Sequence, residues 1–177
     1  MSTATENNEL ANSYYFWLSP QTSDLEPLQD IITTLSKKYS TPIFEPHATL
    51  VSGLSGDEQK LLQKISSFSK KQKKLKLLFE DIEYTHGFFT ALYIKTSLPE
   101  KLTLMHKQAM RDLNPKHQIQ YIPHLSLLYG NISSDEKENI ISAFPLTSQE
   151  ITIDSLKLVK GNADVTQWKI IDEWPLT

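Results

Sequence analysis

The chain of 177 residues contains no cysteine. That absence excludes disulfide staples, thiolate nucleophiles and any zinc site built on cysteine sulfur, and it makes a reducing cytoplasm the expected location. Long hydrophobic runs are missing too: no stretch approaches the roughly 20 apolar residues that a membrane-spanning helix needs, so no membrane partner is expected. The first residues, 1–13, are polar, lack the basic and apolar regions of a signal peptide, and read as a disordered lead-in to one domain over 14–177. There is no excess of positive charge either. Eighteen Lys and Arg against 21 Asp and Glu leave a net charge of −3, so no global field would draw in long nucleic acid. The one basic cluster, Lys70, Lys71, Lys73, Lys74 and Lys76, has no aromatic side chains interleaved as stacking platforms and reads as a solvated loop.

What is present is enough for a core: 39% of residues are hydrophobic and 22% charged, ordinary for a soluble surface. Helical periodicity occurs four times. The first stripe is Leu25, Leu28, Ile31, Ile32 and Leu35, with Ser23 or Asp24 as N-cap. The second is Leu61, Leu62, Ile65 and Phe68, opened by a Ser55–Glu58 capping box. The third runs from Leu102 to Leu113, with Pro99 in its first turn and Asn114-Pro115 as its stop. The fourth carries Ile140, Ile141 and Phe144 behind a Ser133–Glu136 box. Strands are expected over 14–19, 75–84, 88–95, 151–159 and 166–174, with Thr85-His86-Gly87 as a hairpin turn, and two more begin at His47 and His124.

The chain repeats itself. Residues 46–53 read Pro-His-Ala-Thr-Leu-Val-Ser-Gly and residues 123–130 read Pro-His-Leu-Ser-Leu-Leu-Tyr-Gly, 77 residues further on. Each block is preceded by a helix and followed by a second helix and a strand pair. A period this long fits a duplicated half-domain, with halves of roughly 22–97 and 98–177, and not a solenoid.

Side chains two apart on a strand share a face. His47 and Thr49 therefore point one way, as do His124 and Ser126, while Leu50, Leu125 and Leu127 point to the other. If the halves pack with approximate two-fold symmetry, two imidazoles and two hydroxyls surround one small site. Hydroxyls and a protonated imidazole donate to phosphate oxygens. With an ordinary pKa of about 6.5, one histidine can be neutral and take a proton from water while the other is charged and protonates a leaving alkoxide. A strained cyclic phosphate suits such machinery, with neither metal nor cofactor. A lone His-x-Thr means little on a half-buried strand; two copies in equivalent places mean more. A metal would need a third ligand. Glu45 stands two residues before His47, but Ile122 holds the equivalent place before His124, and the hydroxyls two residues on do not suit a metal. His86, His106 and His117 lack the motif's context and read as surface or packed histidines.

The residues Tyr15-Phe16-Trp17-Leu18-Ser19-Pro20, Phe44-Glu45-Pro46-His47-Ala48-Thr49-Leu50, Gly87-Phe88-Phe89 and Tyr121-Ile122-Pro123-His124-Leu125-Ser126-Leu127-Leu128-Tyr129 resemble the 2H phosphoesterases, and within them the plant and yeast type of cyclic phosphodiesterase. The resemblance runs in order from residue 14 to Trp174. It implies a bilobal α+β fold, with an antiparallel sheet in each lobe lining a central groove and helices outside. It implies catalysis by His47 and His124, phosphate binding by Thr49 and Ser126, and no metal. Trp17 and Tyr129 fall where members place aromatics beside the substrate base. Tyr129 reaches the groove only if its strand ends or bulges near Leu128, since strict alternation turns it away; otherwise it is a core tyrosine. The implied substrates are ADP-ribose 1″,2″-cyclic phosphate and nucleoside 2′,3′-cyclic phosphates, handled by a monomer. Members of the plant type often carry cysteines, some paired, and this chain has none. Two alternatives stay open: a relative acting on RNA 3′ ends, and a nucleotide-binding module without turnover. The motif symmetry does not say which histidine is acid and which base; the starting assignment is His124 as base toward water and His47 as acid toward the leaving oxygen.

Overall fold

Among the described residues the period-two and period-3.6 stretches become seven strands and four helices. The computed structural model describes residues 13–115, 120–144 and 149–177; the expected lead-in, apart from Ser13, and His117 lie outside them. In chain order the elements are β1 (Ser13–Pro20), α1 (Thr22–Tyr39), β2 (Ala48–Leu54), α2 (Glu58–Ser69), β3 (Leu75–Glu83), β4 (Leu92–Thr96), α3 (Glu100–Leu113), β5 (His124–Leu128), α4 (Ser134–Ala143), β6 (Glu150–Gly161) and β7 (Lys169–Pro175). The expected α+β class with antiparallel strands is what the chain adopts.

Local chemistry departs from expectation at several ends. The N-cap of α1 is Gln21, without a side-chain bond; the expected caps Ser23 and Asp24 lie inside the first turn, where the Asp24 carboxylate accepts from the Thr152 backbone N–H at 2.8 Å. Asp57 caps α2 by accepting from Lys60 N–H, so the Ser55–Glu58 box does not form. Of the Ser133–Glu136 box the N-cap half forms, Ser133 Oγ accepting from the Glu136 backbone N–H, while the Glu136 carboxylate takes the Ser133 hydroxyl instead of its backbone N–H. Pro99 is the N-cap of α3 and Asn114 ends that helix in the left-handed region at φ 48°. The expected strand over 88–95 begins later, since Phe88–Thr90 coils into a 3-10 turn. A second such turn, Val165–Gln167, precedes β7.

The sheet order is β1-β2-β5-β4-β3-β6-β7, with β1 also paired to β6, and each of these pairings is antiparallel. Strand β6 is long enough to serve twice: residues 153–161 pair with β1, while Glu150–Ile153 pair with the start of β3. At the other side the sheet is joined by one bridge, Ala48 opposite Leu125. The motif strands therefore reach across the halves: β5 pairs with β4, and β2 pairs with β1, whose other neighbour is β6. The helices cross over likewise, α1 packing on β5 and α3 on β2. The core lies between helices and sheet, where Leu50, Leu125 and Leu127 are buried with Phe16, Phe68 and Ile65.

Candidate active site

The bridge between Ala48 and Leu125 fixes the geometry of the site, because each of these residues directly follows a motif histidine. Carried one residue either way, that antiparallel register sets His47 opposite Ser126 and Thr49 opposite His124. Ala48 and Leu125 point into the core, both buried, so their neighbours face the other way. His47, Thr49, His124 and Ser126 all line one cavity of about 510 Å³. The four motif residues singled out from the sequence are thus together.

Both histidines are held in the same manner. Nδ1–H of His47 donates to the Glu45 carbonyl at 2.7 Å, and Nδ1–H of His124 to the Ile122 carbonyl at 2.9 Å. A carbonyl only accepts, so in the neutral ring Nδ1 carries the proton and Nε2 is left with the lone pair. The intervening Pro46 and Pro123 fix the turn that brings each carbonyl round. Both motifs end on a glycine at positive φ, 69° for Gly53 and 140° for Gly130, which explains the last letter of the repeat.

Beneath the imidazoles the halves differ. His47 is 5% exposed and stacks on Trp17 with ring centroids 3.5 Å apart at 9°. Trp17 in turn stands in a cross-strand row of Thr49, Trp17, Lys157 and Glu173. Lys157, 8% exposed, pairs with the Glu45 carboxylate at 2.5 Å and with Glu173 at 3.5 Å. Burial pushes the His47 imidazole down to about 4, against the hydrogen bond it donates to the Glu45 carbonyl, while the charges of His124 and Lys157 add to the lowering. His124 is half-exposed. It stands opposite Lys95 on β4, and the row two residues on runs Ser126, Tyr93 and Glu83; Tyr93 lies 5.0 Å from the ring at 59° and donates to Glu83 at 3.0 Å. The two hydroxyls differ as well. Ser126 donates to the Phe89 carbonyl at 3.2 Å, whereas the Thr49 hydroxyl makes no hydrogen bond among the described residues.

Trp17 and Tyr129 both line the cavity, but each is only 3% exposed. One face of the Trp17 indole is covered by His47, so that face is closed to a base. Tyr129 reaches the cavity because β5 ends at Leu128; its ring stacks on Phe44 at 3.8 Å. The more open aromatics are Tyr15, Phe89 and Trp168, which stack in pairs, Trp168 on Tyr15 at 5.7 Å and on Phe89 at 5.9 Å. Sequence reasoning did not single these out, nor Tyr93 or Lys157. Tyr93 could have been found as the residue opposite Ser126, and Phe89 stands in the Gly-Phe-Phe run; Trp168 and Lys157 carry no motif. His106, expected as a packed or surface histidine, packs on Tyr121 and also lines the same cavity. Among the described residues, no three His, Asp or Glu side chains gather as a metal site would need.

The model of the family described as "Cyclic phosphodiesterase-like protein" matches residues 12–176. A cyclic phosphodiesterase of Arabidopsis thaliana is 23% identical over 168 residues, covering 91% of this chain and 90% of that protein. Solved structures of similar shape include Escherichia coli LigT complexed with 3′-AMP, at a TM-score of 0.60 and 12% identity, covering 94% of this chain and 99% of that one. LigT complexed with NADP⁺ matches at 0.61 and 11%, covering 94% and 98%.

Proposed function

Because the chain belongs to the cyclic phosphodiesterase-like family and is a phosphodiesterase, we propose that it hydrolyses cyclic phosphates on ribose by metal-independent acid–base catalysis between His47 and His124. The substrates in this reading are nucleoside 2′,3′-cyclic phosphates, opened to 2′-phosphates, and ADP-ribose 1″,2″-cyclic phosphate, opened to the 1″-phosphate. The reading includes a cytoplasmic monomer. The observation that carries it is the facing register of the two motifs, which puts an imidazole and a hydroxyl on each side of one cavity.

The environments of the two histidines favour one direction, the reverse of the starting assignment. A general base must be neutral, and burial holds His47 neutral at ordinary pH. In our assignment His47 Nε2 takes the proton from the attacking water, and the new P–O bond forms. His124, at the half-exposed mouth where water can replenish its proton, donates to the departing ribose oxygen as its P–O bond breaks. The Thr49 hydroxyl, without a hydrogen-bond partner among the described residues, donates to a nonbridging oxygen; Ser126 does so after leaving the Phe89 carbonyl. Trp17 and Lys157 are positioning residues: the indole supports the imidazole, and Lys157 fixes Glu45, whose carbonyl orients it. Tyr15, Phe89 and Trp168 then offer the base platform expected of Trp17.

The test is turnover of a 2′,3′-cyclic nucleotide and an aryl phosphodiester by EDTA-treated protein. His47→Ala and His124→Ala should each lower turnover of the cyclic nucleotide about 10²–10⁴-fold. His124→Ala should be partly rescued on the aryl ester, whose leaving group needs no acid, and His47→Ala should not. Rescue of His47→Ala alone would reverse the roles. Unchanged activity in both variants, or loss of turnover in EDTA restored by zinc or manganese, would overturn the mechanism.

A further inference from the structure

The duplication places an aromatic residue three positions before each histidine, Phe44 in the first motif and Tyr121 in the second. Because β2 and β5 run antiparallel through the one bridge between Ala48 and Leu125, these two rings stand toward opposite ends of the central strand pair. Phe44 stacks on Tyr129 and joins a closed apolar cluster with Ile32 and Val165. Tyr121 makes a stack just as close, 3.8 Å at 6°, but on His106. His106 is anchored to the motif strand itself, its Nδ1–H donating to the Leu50 carbonyl at 2.9 Å. Around this second stack the cavity is lined by Ser52, Met110, Gln120 and Ile122. The Tyr121 phenol is buried with no hydrogen-bond partner among the described residues, an arrangement that costs about 1–3 kcal/mol unless something satisfies it.

The two ends therefore differ in what they can hold. One is a finished apolar plug. The other combines flat apolar walls at Met110 and Ile122 with a hydroxyl, a carboxamide, the imidazole Nε2 and an orphaned phenol. That set matches a planar heterocycle with donors and acceptors on its edge. Nothing in the hydrolysis of a mononucleoside cyclic phosphate calls for it, since the aromatics near His47 already provide a base platform.

We propose that the His106–Tyr121 end of the cavity is a subsite for a second nucleoside, joined through 5′-linked phosphate to the ribose that bears the cyclic phosphate. The proposal rests on the hydrolytic reading above and names the extent of its substrate. Such a nucleoside occurs both on an RNA end and in an ADP-ribose derivative. A base seated on an aromatic platform gains roughly five- to a hundredfold in affinity.

The full chain is assayed against adenosine 2′,3′-cyclic phosphate, a dinucleotide ending in a 2′,3′-cyclic phosphate, and ADP-ribose 1″,2″-cyclic phosphate. At least one of the two extended substrates should exceed the mononucleotide about tenfold or more in kcat/KM, and which one does so identifies the source of the second nucleoside. That ratio should fall severalfold in His106→Ala or Tyr121→Phe. Tyr121→Phe keeps the ring in its stack and removes only the unpartnered hydroxyl, so the fold survives and a merely structural tyrosine would leave the ratio unmoved. Equal kcat/KM for all three substrates in the unaltered protein overturns the subsite while leaving the hydrolytic reading intact. A preference that persists undiminished in both variants overturns its location. Turnover of none of the three overturns the hydrolytic reading itself.

Discussion

His47 and His124 each follow a proline and bond the carbonyl two residues back, and their difference comes from what lies behind them. Behind His47 are a stacked indole and a buried cation; behind His124 is a tilted phenol at the half-exposed mouth. With His47 as base, kcat/KM should fall at low pH as that imidazole is protonated, with the acid limb close to pH 4 and not near 6.5. Lys157→Met removes a positive charge and leaves Glu45 unpaired beside the ring, so both changes favour the imidazolium. The acid limb should move upward in a pH profile of this variant, and an unmoved limb would show that Lys157 has no part in the base. Trp17→Ala should act in the same direction, because opening one face of the ring restores its hydration. Its kcat at neutral pH should drop more than its KM rises. A variant that changes only KM would return Trp17 to the role of base platform.

At the scale of elements, the repeat was legible because it is local: a proline, a histidine, a hydroxyl two residues on and a terminal glycine each have a reason that does not depend on distant chain. The glycine gives a direct check. Gly130 combines φ of 140° with a Cβ position only 2.8 Å from Thr41 Cγ2, so Gly130→Ala strains the backbone and crowds the start of the β2 approach. It should lose roughly 1–3 kcal/mol in denaturant unfolding, and a neutral result would refute the strain. Helix and strand existence was readable from periodicity in the same way. The caps of α1 and α2 were not, since Ser23 and Asp24 lie inside the first turn, with Asp24 bonded to a backbone amide 128 residues away, and Asp57 outcompetes Ser55 by its position. Least legible were Lys157, Trp168 and His106. Their relation to the site comes from strand exchange and helix packing, which no spacing in the sequence encodes.

For the molecule as a whole, a buried neutral histidine ties stability to pH. The folded-state pKa of His47, about 4, lies below the ordinary 6.5 that applies to an unfolded chain. Between these values the unfolded state binds more protons, so stability falls as pH drops from about 6.5 to about 4 and the loss is complete below that window. The contribution is on the order of 3 kcal/mol. Urea unfolding at pH 7 and pH 4 should show that much more acid destabilisation in the unaltered protein than in His47→Gln. Equal losses in the two would mean that His47 titrates normally in the fold.

Strand β6, which pairs with β1 over 153–161 and with β3 over its first residues, also decides when the protein can fold during synthesis. Domains are generally made N-terminus first and fold as their parts emerge from the ribosome. Here β1 has one flank covered early by β2, but its other flank waits for β6, much later in the chain. Until then it presents an open edge rich in aromatic residues, Tyr14 to Trp17, of the kind that recruits other nascent chains. A ribosome stalled anywhere between β2 and β6 therefore holds a sticky intermediate, and release of the last strands converts it at once into a ring of paired edges around the two histidines.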